Sequence, residues 1–156
     1  MKKIILCLLL GISLLKAECS VLGFELGVTT LKEIGKKTKL EIIDKNTARI
    51  SPELFGIEGL EDVFFHFRGN VVYNASLYFK PTQEKYIELK KILESKYYLA
   101  TDTLEKDAEI PNLKHGAFFN TDDKGCIVML GLAKATKNEE AYLKLHYTFI
   151  PERKYL

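Results

Sequence analysis

Tryptophan is absent from this 156-residue chain, and proline (four), glycine (ten) and cysteine (three) are sparse. So little proline and glycine excludes collagen-like repeats and proline-rich linkers. Catalytic signatures are missing too: there is no nucleophile elbow, Walker loop, Rossmann glycine pattern or zinc-protease helix. None of the three histidines, His66, His115 and His146, stands at zinc-ligand spacing from another histidine, a cysteine or an acid. Neither a catalytic set nor a metal or cofactor site is therefore assigned. Long apolar runs are confined to one, Ile4 to Leu15. A membrane-spanning helix needs about 20 residues, so this run is too short for a stable anchor.

That run has the layout of an export signal. Met1-Lys2-Lys3 supplies a positive start, and Lys16-Ala17 closes it with Leu15 and Ala17 at the −3 and −1 positions. We expect residues 1–17 to be a cleaved signal peptide and residues 18–156 a single domain. Glu18 before Cys19 does not suit a lipidation site, where a small residue is required. The expected address is the periplasm, with secretion or outer-membrane association as alternatives.

Losing the signal lowers Lys+Arg from 23 to 20 against 21 Asp+Glu, so the formal charge moves from +2 to −1. The mature chain has no basic excess for nucleic-acid binding. Hydrophobic residues at 47% and charged residues at 28% place it among folded globular domains. Cys19 and Cys126 remain as one pair, and in an oxidising compartment such a pair is expected to form a disulfide. Closing that long loop stabilises by about 4–5 kcal/mol on the chain-entropy account.

Periodicity gives the element order. A short strand at Val21–Gly27 precedes a helix from Thr30, with Glu33 completing a capping box and the end near Lys37-Thr38. Leu40–Ile43 reads as a strand, and the segment from Asp44 to Asp62 mostly as loop, with room for a strand near Ala48–Ile50. Residues 63–79 read as a hairpin. Parity favours a three-residue Arg68-Gly69-Asn70 loop, which pairs Phe67 with Val71, Phe65 with Tyr73 and Val63 with Ala75. The longest helix starts at Thr82 and carries a stripe of Tyr86, Leu89, Lys90, Leu93 and Tyr97, widened by Ile92. Strands follow at Ala100–Leu104, Gly116–Asn120, Cys126–Ala133 and Ala141–Ile150. Asp122-Asp123-Lys124-Gly125 reads as a hairpin turn, not a calcium loop. The expected fold is α+β in two layers: a mainly antiparallel curved sheet with two helices packed on one face, whose order also admits a duplicated helix-plus-strands unit.

The sheet face away from the helices then gathers Phe64, His66, Arg68, Val72, Asn74 and Tyr78 from the hairpin. The last strand adds Tyr142, Lys144, His146 and Thr148. Aromatics interleaved with polar and basic groups suit a protein-binding surface, unless a loop, the N-terminal segment or a second copy covers them. Phe64, His66, Arg68, Asn74, Tyr78, Tyr142, Lys144 and His146 are the candidate binding residues.

Residues 23–34, Gly23-Phe24-Glu25-Leu26-Gly27-Val28-Thr29-Thr30-Leu31-Lys32-Glu33-Ile34, resemble the opening segment of small exported modules of the β-lactamase-inhibitor-protein and BamE type. The likeness spans twelve residues, and the lipidation motif of the BamE group is missing. It implies helices packed on antiparallel strands and a role in binding other proteins. The expected function is an exported assembly factor, inhibitor or accessory subunit without catalysis. Its partner would be another envelope or secreted protein, with a homodimer left open. The alternatives are a carrier of a small apolar ligand or lipid, and a small envelope hydrolase.

Overall fold

A computed structural model describes residues 19–104, 112–121 and 125–151. The expected signal peptide and the turn at residues 122–124 lie outside the described residues. The elements are β1 (Ser20–Val21), β2 (Phe24–Glu25), α1 (Leu31–Lys37), β3 (Leu40–Asp44), β4 (Thr47–Ile50), a 3-10 turn (Pro52–Phe55), β5 (Leu60–Arg68), β6 (Val71–Phe79), α2 (Gln83–Glu94), β7 (Tyr98–Leu104), β8 (Leu113–Asn120), β9 (Cys126–Ala133) and β10 (Tyr142–Phe149). β1 and β2 form a small hairpin, and the other eight strands form one sheet in the order β3-β4-β5-β6-β10-β9-β8-β7. Every pairing is antiparallel. This is the expected α+β fold with an open, curved antiparallel sheet.

The duplication is visible in the topology. α1 is followed by the meander β3 to β6, and α2 by the meander β7 to β10. The final strand of each meander meets the other at the centre of the sheet. Both final strands also end in Phe-X-Pro, at Phe79-Lys80-Pro81 and Phe149-Ile150-Pro151.

Local chemistry sets the helix starts. Thr30 Oγ1 accepts from the Glu33 backbone N–H at 3.3 Å, and Glu33 Oε2 accepts from the Thr30 N–H at 2.7 Å. This capping box satisfies two amides that have no partner within the helix. Thr82 caps α2 by accepting from the Lys85 N–H at 3.2 Å. α2 ends at Glu94, so Tyr97 lies beyond the helix although it still packs on the core.

Both helices and the β1–β2 hairpin contribute to one core on one side of the sheet. Ile34, Tyr86, Leu89 and Leu93 join Val21, Phe24 and Leu26 there. From the sheet come Val63, Phe65, Leu77, Val128, Leu130, Leu143 and Leu145. Phe24 meets Phe65 edge-on at 5.5 Å. The Cys19–Cys126 disulfide, with Cα atoms 5.4 Å apart, ties the N-terminal segment to β9. Gly27 accepts this crowding. Its φ is +83°, and a Cβ there would lie 2.5 Å from the Phe149 ring.

The register of the β5–β6 hairpin differs from the expectation. The loop has two residues, with Arg68 opposite Val71 and Phe67 opposite Val72. Tyr73 is then an extra residue on β6, after which His66 faces Asn74 and Phe65 faces Ala75. Parity alone rejects a two-residue loop because it would mix apolar and polar residues on each face. The bulge restores the phase by inserting one residue. Val72 consequently belongs to the buried core rather than to the open face, while Val71 and Tyr73 are only partly buried.

Candidate functional site

Cross-strand partners point to the same side of a sheet, so the register lays out the face opposite the helices. One row crosses the sheet as Arg49, Phe64, Ser76, His146, Met129 and Phe118. The row on one side of it contains Asp62, Tyr78, Lys144, Gly131 and Gly116. The row on the other side contains Thr47, His66, Asn74, Thr148, Ile127 and Asn120. Phe64, His66, Asn74, Tyr78, Tyr142, Lys144 and His146 are thus brought together and are partly buried.

Aromatic rings form a chain along this face. Phe64 meets Tyr78 edge-on at 5.9 Å, and Tyr78 meets Tyr142 at 6.4 Å. Such pairs add about 0.5–1.5 kcal/mol each beyond the area they bury. The Lys144 ammonium lies 5.5 Å from the centre of the Tyr78 ring. Arg68 does not join the group. Its guanidinium stacks 3.9 Å from the centre of Tyr73, whose ring meets Phe149 on the core side.

At the middle of the face is a polar pair. Ser76 Oγ is 2.8 Å from His146 Nδ1, and Ser76 is only 1% exposed. His66 Nδ1 is 3.3 Å from Thr47 Oγ1. Burial, reinforced by Lys144 and His66, holds the His146 pKa down at about 4. His66 is lowered as well, first by burial and then by Lys144, with Asp44 opposing. Both rings are therefore neutral at pH 7. Asn74 Oδ1 is buried and has no hydrogen-bond partner among the described residues.

The Ser76–His146 pair has the composition of a nucleophile and its base, but its geometry serves another purpose. Ser76, 1% exposed between its cross-strand neighbours Phe64 and His146, does not present its hydroxyl at the surface. What the pair does is fix the His146 ring at the centre of the face. Third-side support from a carboxylate is absent among the described residues near the pair.

Sequence reasoning missed several members of this face, among them Ser76, Phe118, Ile127 and Met129. The signal was available in β9, where Ile127 and Met129 alternate with the buried Val128 and Leu130. Both phases of that strand are apolar, which hid the alternation. Leu113 was missed as well. It stands opposite Ala133, itself opposite Tyr142, and its side chain lies across Gly116 and Gly131. A Cβ on Gly116 would fall 2.8 Å from Leu113 Cδ2.

No known protein family, curated protein or solved structure matches this chain.

Proposed function

We propose that this chain is an exported periplasmic protein-binding module, an assembly factor, inhibitor or accessory subunit, that works through the open sheet face. The observation that carries the reading is the aromatic chain Phe64–Tyr78–Tyr142 on the side away from both helices and from the β1–β2 hairpin. Aromatic side chains at the centre of a patch, ringed by polar groups, are what anchors protein interfaces. The Cys19–Cys126 disulfide fits an oxidising compartment and supports export. The resemblance of residues 23–34 to exported binding modules agrees with it.

The test is co-purification of a tagged form from its native envelope after mild cross-linking, with the partner identified by mass spectrometry. The reading expects a recurrent envelope protein that is lost when Tyr78 and Tyr142 are both replaced by Ala. Recovery of the chain alone, or of a partner indifferent to those replacements, contradicts it.

A further inference from the structure

The open face has a distribution of charge that selects among protein partners. Lys144 stands on the central strand β10, beside Tyr78 and opposite the side-chain-free Gly131. Among the described residues no carboxylate reaches its ammonium within ion-pair distance. The acid in its own cross-strand row, Asp62, is held elsewhere: Arg49 grips both its oxygens, at 2.5 and 3.0 Å. The same guanidinium lies 3.7 Å from Glu41, and Asp44, at the edge turn, accepts from the Asn46 N–H. Among the described residues the face therefore presents a cation without an ion-pair partner at its centre, while Asp62 and Glu41 are already held by Arg49 at one edge.

We propose that the open face docks an acidic segment of its partner, with a carboxylate seated on Lys144 beside Tyr78 and next to the His146 row. The proposal rests on the protein-binding reading above. Charge complementarity is its argument. A partly desolvated ammonium gains more from a carboxylate than one in open water, because the effective dielectric is lower. Tyr78, under the ammonium, and Tyr142 beside it exclude water from one side of such a contact.

The histidines give the docking a pH signature. His66 faces Lys144, Asp44 and Thr47, and His146 faces Lys144, His66 and Ser76. Of these neighbours only Asp44 is an acid, and it sits at the edge turn, where it accepts from the Asn46 N–H. A partner carboxylate would offset Lys144 and favour the protonated rings. Binding then takes up protons, and affinity rises as pH falls from 7.5 to 5.5.

The experiment is selection of a random cyclic-peptide display library on the full oxidised protein, followed by affinity measurement on synthesised winners. The inference expects peptides rich in Asp or Glu with an aromatic or aliphatic neighbour. Their affinity should fall about tenfold in Lys144→Gln, be kept in Lys144→Arg, and be indifferent to Lys91→Gln on the outer face of α2. Neutral or basic winners that still depend on Tyr78 would overturn the acidic occupant while leaving the binding face intact. Winners indifferent to Tyr78→Ala, or none at all, would overturn both. Concentration-dependent dimerisation abolished by Tyr78→Ala would make the occupant a second copy and overturn the acidic segment.

Discussion

Ser76 and His146 face each other across the central β6–β10 pair, Oγ to Nδ1 at 2.8 Å, four strands in from either edge of the sheet. The bond joins the final strands of the two helix-plus-meander units, so it lies where the halves of the duplicated fold meet. Replacing Ser76 with Ala leaves the His146 nitrogen without its partner. An unfolding free energy lower by about 1–3 kcal/mol is expected from denaturant titration. A loss below about 0.3 kcal/mol would show that solvent replaces the bond without cost.

Acid should begin to destabilise the fold above the range in which carboxylates are protonated. The His146 pKa is about 4 in the folded state, below the ordinary 6.5, so the unfolded chain binds the proton more readily. Stability is then complete above pH 6.5 and falls progressively as pH drops through 4. The half-buried ring calls for a discount for solvent screening, which leaves an effect of about 1–2 kcal/mol. His66 acts in the same direction. Denaturation midpoints between pH 7.5 and 4, compared with His146→Gln, check this. A flat wild-type profile over that range would refute the assignment.

The Cys19–Cys126 bridge anchors the N-terminal hairpin to β9, and both sulfurs are buried. Under oxidising conditions Cys126→Ser should unfold about 2–4 kcal/mol more easily than wild type. Reductant should bring the wild type to a similar loss. Equal stability of oxidised and reduced protein would mean that core packing alone holds the hairpin.

Gly27 and Gly69 both have positive φ, +83° and +64°, but their surroundings differ. Among the described residues Gly69 has nothing within 4 Å of an added Cβ, whereas at Gly27 that carbon would enter the Phe149 ring. Gly69→Ala should cost about 1–2 kcal/mol from backbone conformation alone. Gly27→Ala adds overpacking and should cost about 2–5 kcal/mol. Thermal unfolding of the pair decides it, and similar losses would contradict the close approach of Phe149.

Much of this architecture is legible in the chain because local signals agree with the global fold. The Thr30–Glu33 capping box, the stripe Tyr86, Leu89 and Leu93, and the alternation of β10 each specify an element and its buried side. The β5–β6 register was not legible. A single bulged residue, Tyr73, shifts the phase of a strand without leaving a compositional mark, so parity pointed to the wrong loop. For the site, His66 and His146 could be assigned to one face from alternation. The contacts of His146 with Ser76 and of His66 with Lys144 depend on β6 pairing with β10, which brings together residues 70 apart in sequence. No local pattern encodes that pairing.

Site-specific photo-crosslinking in the native envelope tests the central claim most directly. A photoreactive residue placed at Tyr78 or Tyr142 samples the open face, and one at Ile87 or Leu54, both exposed away from it, serves as the comparison. The account predicts one partner captured from Tyr78 and Tyr142 and not from Ile87 or Leu54. Capture from Ile87 or Leu54 with none from the two tyrosines would contradict it and move the interface off the sheet.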